Sequence, residues 1–176
     1  KWRLGDIQIE ASGCVFDVLK YGQPYGRFAT RLVGRHNLTN ALAVIAIADE
    51  FNLSSADINA ALETFEGVKR RQQIRGQKNQ ITVMDDFAHH PTAVQETVGA
   101  VKSFHAPRRL IAVFEPRTNS SMRDIFQDVY PLAFDGADLI CIRQPPLLEK
   151  IPVAERFSSR KLVADLKQRG KDAHFI

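Results

Sequence analysis

Ile81-Thr82-Val83-Met84-Asp85-Asp86-Phe87-Ala88-His89-His90-Pro91-Thr92 decides how this chain is read. Its first four residues form an apolar, β-branched run long enough for a buried strand, which halts at two carboxylates, two imidazoles and a proline. Pro91 suits a first helical position, where its missing N–H has no partner to lose. Beyond it Val94, Thr97, Val98, Val101 and Phe104 recur at helical spacing and make one apolar stripe. The polar cluster therefore falls at the carboxyl end of a strand and the amino end of a helix, where open α/β sheets bind ligands. Phosphate and ribose chemistry is the first expectation. Two other readings stand beside it: a merely solvated turn, and a metal site made by Asp85, Asp86, His89 and His90, which are ligand types for divalent ions. The metal reading ranks lower, because neighbours in a tight turn rarely point at one ion.

At 176 residues the chain holds one domain or one and a half, and its 44% hydrophobic and 25% charged residues are ordinary for a soluble globular protein. The formal charge of +4 is spread through the sequence, with its densest spot at Lys69-Arg70-Arg71. That favours small anionic ligands and argues against a nucleic-acid partner. Two cysteines, Cys14 and Cys141, make no disulfide framework. Neither a membrane-length apolar run nor a signal peptide is present, so a cytoplasmic location without membrane attachment is expected. Lys1-Trp2 lacks an initiator Met and enters mid-pattern, as a fragment would.

Residues from Ile7 to Thr30 alternate as short strands, with Tyr21-Gly22-Gln23-Pro24 turning a hairpin. An alanine-rich helix follows Gly34, with Leu38, Ala41, Leu42, Ile45 and Ala48 on one side. His36, Asn37 and Asn40 fall at its start, beside unpaired N–H groups and the positive dipole end. Asn both donates and accepts, so this turn can read a purine edge; simple N-capping is the blander alternative and the one the pattern alone favours. Ser54 and Asp57 resemble a capping box for a second helix burying Ile58, Ala61, Leu62 and Phe65, which Gly67 would stop as its C′ residue. A domain boundary is expected at Glu66-Gly67. Arg71, just beyond it, is either a surface arginine or a fork for hydroxyls and phosphates.

Leu110 to Phe114 is a further apolar strand, ending in Glu115-Pro116-Arg117-Thr118-Asn119-Ser120. Met122 to Phe134 reads as a helix interrupted at Pro131, with Ile125, Phe126 and Val129 inward. Asp138 to Ile142 is a third strand, ended by Arg143-Gln144-Pro145-Pro146. Ser158 or Ser159 caps a helix with Leu162, Val163 and Leu166, Gly170 closes it, and a strand starts at Ala173. Strand and helix units in this order imply a parallel sheet. The expected fold class is α/β: a Rossmann-like, mostly parallel domain over residues 67–176, preceded over residues 1–66 by a hairpin and two helices.

Three segments taken together, His36-Asn37-x-x-Asn40, Gly67-Val68-Lys69-Arg70-Arg71 and Asp85-Asp86-Phe87-Ala88-His89-His90-Pro91-Thr92, resemble the Mur ligase family. The resemblance implies an ATP-dependent amide ligase of bacterial cell-wall synthesis. Residues 1–66 would be the end of its central ATPase domain, and 67–176 most of its carboxyl-terminal domain. His-His-Pro is similar to the branch acting on UDP-N-acetylmuramate. Within that branch, Arg70-Arg71-Gln72 and Phe114-Glu115-Pro116-Arg117-Thr118-Asn119 look more like the member that adds the recycled tripeptide L-alanyl-γ-D-glutamyl-meso-diaminopimelate than the one that adds L-alanine.

By analogy the muramate carboxylate is phosphorylated by ATP and the amine attacks the acyl phosphate, with Mg2+ and positioning supplying most of the help. The resemblance gives His36, Asn37 and Asn40 to adenine, Arg71 and Asp86 to the ribose hydroxyls, and His89 to the phosphates or to ordering the turn. Arg117, with Asn119 and Ser120, is the candidate for a carboxylate of the incoming peptide. Closure of one domain on the other would assemble the nucleotide site. A Gly-x-x-x-x-Gly-Lys-Ser/Thr phosphate loop is missing, so ATP and Mg2+ would be held mainly by residues outside this sequence. The remaining rivals are a metal-dependent hydrolase and a non-catalytic module carrying peptide specificity.

Overall fold

Alternating side chains from Trp2 to Thr30 fold into three antiparallel strands, β1 (Trp2–Glu10), β2 (Gly13–Lys20) and β3 (Gln23–Thr30), in that order. The structure is a computed structural model describing residues 1–176, and it divides into two compact units, Lys1–Met84 and Asp85–Ile176. The strand expected around Ile7 and Ile9 joins the hairpin and begins earlier, at Trp2, with a register shift between Leu4 and Ile7. Such an irregularity breaks the period of two that marks a strand in sequence. Lys20 pairs with Gln23 across Tyr21 (φ 51°) and Gly22 (φ 83°), the two positive values a type I′ turn requires.

Phe16, Val18 and Phe28 bury one face of this sheet. Helix α1 (Arg35–Glu50) adds Leu38, Ala41 and Ile45, and α2 (Ser55–Thr64), which packs on β3, adds Ile58 and Leu62. The Ala29 N–H donates to Asn59 Oδ1 (2.8 Å), and Lys20 Nζ meets Asp49 Oδ2 at 2.6 Å, tying the end of β2 to the last turn of α1. Ser54 caps α2 as expected, accepting from the Asp57 N–H at 3.1 Å. Phe65, expected inside, is 44% exposed, because the helix ends at Thr64 and Phe65 is already extended. Gly67 (φ 94°) is therefore not the C′ residue but lies one position further on, where an added Cβ would meet Leu32.

Strands β4 (Gln73–Lys78) and β5 (Ile81–Asp85) form a sheet of their own. β5 was expected to open the parallel sheet; it pairs with β4 instead. Asn79 (φ 49°) and Gln80 (φ 62°) join the two strands, and two residues of positive φ return a chain directly beside itself.

In the second unit α3 (Pro91–Phe104), β6 (Ile111–Phe114), α4 (Tyr130–Ala133), β7 (Leu139–Ile142), α5 (Ser159–Gln168) and β8 (Ala173–Phe175) follow in turn. β6, β7 and β8 are parallel, in that order, with Phe114 opposite Ile142 and Ile142 opposite Phe175. Val94 and Val98 of α3, Tyr130, Phe134, and Leu162 and Leu166 of α5 close over this sheet as one core. The long helix expected over Met122–Phe134 is absent: a 3-10 turn at Asp124–Phe126 precedes the short α4. Pro131 lies in the first turn of α4 and so starts that helix instead of interrupting it. Gln127, Tyr130, Pro131, Ala133 and Phe134 are buried there and Phe126 packs partly buried against the same core, while Ile125 and Val129, expected inside with it, are exposed. Ser158 caps α5, accepting from the Lys161 N–H at 3.1 Å, and Gly170 (φ 76°) follows its end. Both cysteines are unpaired in disulfides, and no helix is long and apolar enough to cross a membrane.

Candidate functional site

The turn between β5 and α3 is built by its own polar residues. Asp86 Oδ1 accepts from the Ala88 N–H at 2.6 Å, closing an Asx turn immediately after the strand. His90 is the N-cap of α3: its Nδ1 accepts from the Thr92 N–H (3.3 Å), and Pro91 takes the first helical position. His89 Nδ1 lies 3.0 Å from the Phe87 carbonyl, which can only accept, so Nδ1 carries the proton there. The two imidazoles thus use Nδ1 in opposite senses, His89 as a donor and His90 as an acceptor. Beneath them the Tyr130 hydroxyl donates to the His89 carbonyl, and the His90 ring stands edge-on to Phe126 with centroids 4.7 Å apart. The core below the sheet thereby sets the position of the turn above it.

The four residues of the metal reading do not converge in this way. No group of three or more His, Cys, Asp and Glu side chains is placed to hold a metal ion. His89 and His90 direct their Nδ1 atoms at backbone groups of their own turn.

At the end of β6, Glu115 accepts from Arg117 Nε and, at 2.6 Å, from Arg143 Nη1 at the end of β7. Asn119 Oδ1 accepts from Arg123 Nε (2.9 Å), and Arg123 also pairs with Glu155. Ser120 Oγ lies 3.5 Å from Thr118 Oγ1, whose hydroxyl also bonds Ser121 Oγ at 2.8 Å. Arg117, Asn119 and Ser120 therefore share one loop, with Arg117 and Asn119 each engaged by a charged partner. Sequence reading passed over Arg143, treating it only as the residue that ends a strand. Its signal was positional: it follows β7 where Glu115 follows β6, and those strands are neighbours.

In the first unit, His36, Asn37 and Asn40 lie in the opening turns of α1. Gly34 (φ 95°) is its N-cap, with no side-chain cap, so the bland N-capping role does not fall to an Asn. Asn37 Nδ2 instead donates back to the Val33 carbonyl at 2.8 Å. Asn40 is exposed. Arg71 lies after α2 in a turn closed by its own N–H on the Val68 carbonyl (3.1 Å), flanked by Arg70 and Gln72 at positive φ.

Residues 70–176 match the family described as Mur ligase, glutamate ligase domain. That match begins close to the expected boundary at Gly67, whereas the compact units divide at Met84, after the β4–β5 pair. A UDP-N-acetylmuramate–L-alanine ligase of Anaeromyxobacter is 40% identical over 142 residues, 80% of this chain and 30% of that protein. The crystal structure of the UDP-N-acetylmuramate–alanine ligase of Thermotoga maritima has a TM-score of 0.83 at 26% identity, covering 99% of this chain and 37% of that one. A murein peptide ligase from Psychrobacter arcticus has a TM-score of 0.62 at 30% identity, covering 99% of this chain and 36% of that one. The chain spans about a third of the length of the curated relatives it matches.

Proposed function

Because this chain belongs to the Mur ligase family, we propose that it is part of an ATP-dependent ligase that joins an amine to the muramate carboxylate of UDP-N-acetylmuramate through an acyl phosphate. The observation that carries this reading is the β5–α3 turn, whose Asx closure and opposed imidazoles form a rigid polar rim within the matched region. Free L-alanine is the amine the curated relatives support, in preference to the tripeptide expected from sequence.

A second reading keeps the tripeptide L-alanyl-γ-D-glutamyl-meso-diaminopimelate. The Arg117–Glu115–Arg143 group and the 30% identity to a murein peptide ligase favour it. Its extra carboxylates suit a pair of guanidiniums better than a single small amino acid does.

His36, Asn37 and Asn40 are proposed to hold adenine, and Arg71 and Asp86 the ribose hydroxyls. His89 is proposed to lie by the phosphates or to order the turn. Mg2+ is proposed to arrive with ATP and to be held mainly by residues outside this sequence. The expected location is the cytoplasm, where UDP-linked precursors are made.

The test uses the intact ligase containing this chain. ATP-dependent ligation to UDP-N-acetylmuramate is measured with L-alanine and with the tripeptide. A kcat/KM higher for L-alanine supports the first reading, and one higher for the tripeptide replaces it with the second. No ligation of either removes both. In the same enzyme, Arg71→Ala and Asp86→Ala are expected to weaken ATP binding without unfolding; unchanged affinity in both refutes the ribose assignment.

A further inference from the structure

We propose that residues 146–150 form a gate at the carboxyl edge of the parallel sheet: Arg156 latches it shut, and the left-handed backbone of Leu147 loads it to open. The inference rests on the ligase reading above only for the traffic the gate controls; its mechanics stand on the fold.

The connection from β7 to α5 is fastened at both ends. At its start the Arg143 N–H donates to the Phe114 carbonyl at 2.9 Å, the Arg143 carbonyl accepts from the buried Ser159 hydroxyl at 2.8 Å, and Pro145 is buried. At its far end Ile151 and Phe157 are buried, and the Phe157 N–H donates to the Met122 carbonyl at 3.0 Å. The amide of buried Gln127 brackets Ser158, accepting from its N–H at 2.7 Å and donating to its carbonyl at 3.2 Å.

The five residues between these anchors are held differently. Pro146, Leu147, Glu149 and Lys150 are exposed, and the turn closes through main chain, Lys150 N–H to the Leu147 carbonyl (3.0 Å) and Ile151 N–H to the Leu148 carbonyl (3.1 Å). Leu147 lies at φ 57° and ψ 29°, where the crowding of Cβ makes the backbone costly for a leucine. Such strain persists only where the surroundings impose it, and it collects at clamps and switches.

Arg156 imposes it. Its half-buried guanidinium donates through Nε to the Ile151 carbonyl at 2.8 Å and through Nη2 to the Glu149 carbonyl at 3.5 Å. Its own backbone is bridged to Arg123, so the latch is mounted on the anchored half of the connection. Releasing the guanidinium frees the turn, while Ile151, Phe157 and Gln127 keep the rest in place. Strain and latch therefore oppose each other, as two exchanging positions of one element require. The turn follows β7, at the edge where open α/β sheets bind ligands, so its opening admits and releases what that edge binds.

The test reads trypsin cleavage after Lys150 in this 176-residue chain, because cleavage follows the population of the open form. Losing a charge-assisted hydrogen bond predicts cleavage about ten- to a hundredfold faster in Arg156→Gln, with a smaller rise in Arg156→Lys. Cleavage after Lys161 and Lys167, within α5, should stay as in the parent. Leu147→Asn, which tolerates the left-handed region, should slow cleavage after Lys150 and reverse the increase when combined with Arg156→Gln. Equal cleavage after Lys150 in parent and Arg156→Gln overturns the latch. If α5 is also cleaved faster, Arg156→Gln has loosened the whole unit and Leu147→Asn alone decides: slower cleavage supports the gate, and an unchanged or faster rate overturns it. In the intact ligase Arg156→Gln should raise KM for the amine with kcat retained, since only the shut form completes the site, and Leu147→Asn should restore it. A KM that stays constant while cleavage rises overturns the gate. If the parent ligates neither amine, the ligase reading fails, and the cleavage rates still decide the latch.

Discussion

Replacing Tyr130 with Phe removes one oxygen from the middle of the second unit. The ring is fully buried, lying against Phe157 with centroids 5.6 Å apart and against Phe114 at 5.2 Å, contacts that Phe retains. What disappears is the hydroxyl's donation to the His89 carbonyl. Burial pushes the ionisation of this phenol well above its ordinary value, so the group remains a donor at any working pH. A neutral hydrogen bond contributes about 0.5–1.5 kcal/mol net, and a partner left dry costs about 1–3 kcal/mol. His89 is only half-buried, so water can replace the donor and about 1 kcal/mol is the expected loss. Truncation to Ala, by contrast, would cost about 3–5 kcal/mol through the cavity it leaves.

For a domain of this size 1 kcal/mol lowers Tm by about 4–8 °C. Thermal unfolding gives that shift, and amide hydrogen exchange locates it. Ala88 and Val94 donate to Asp86 and to the His90 carbonyl within the turn, and their exchange should accelerate more than that of α5. Equal melting together with unchanged exchange at Ala88 and Val94 would refute the claim that the core hydroxyl holds the turn.

Leu162→Ala, at a fully buried site in α5, should destabilise by about 2–5 kcal/mol, measured as a lower denaturant midpoint at unchanged slope. Asp138 accepts from the Leu110 N–H (2.7 Å) and the Lys102 ammonium (2.6 Å), and these hold its carboxyl below the ordinary 3.8. Its folded value is thus lower than its unfolded one, so its contribution is complete above the unfolded value and is lost as pH falls through the folded value. Asp138→Asn should be the less stable protein at neutral pH and should converge with the parent in acid; parallel stability curves across that range would contradict this.

Local rules were legible wherever a residue acts on its own neighbours. Ser54, Ser158 and Pro91 each start a helix where their chemistry requires it, and Gly170 follows the end of α5. Reading failed where distant packing decides. Pro131 broke a helical pattern in sequence, yet Tyr130 and Phe134 bury on either side of it because the parallel sheet offers them a floor. β5 was placed in the parallel sheet because its apolar run reads like those of β6 and β7, and only the folded chain shows that it pairs with β4 instead. In the candidate site, the residues of the β5–α3 turn were visible because they are contiguous. Arg143 was not, since its relation to Arg117 exists only once β6 and β7 lie side by side.

The Ser159 hydroxyl has a bearing on how such a protein can change. It anchors position 143 by its carbonyl, as Phe114 anchors it by its amide, and neither bond involves the side chain. The strand end would keep its course with any residue there that retains a backbone N–H. Position 143 is a socket in which the charge and reach of the occupant can be exchanged at little cost to folding while the scaffold is inherited unaltered.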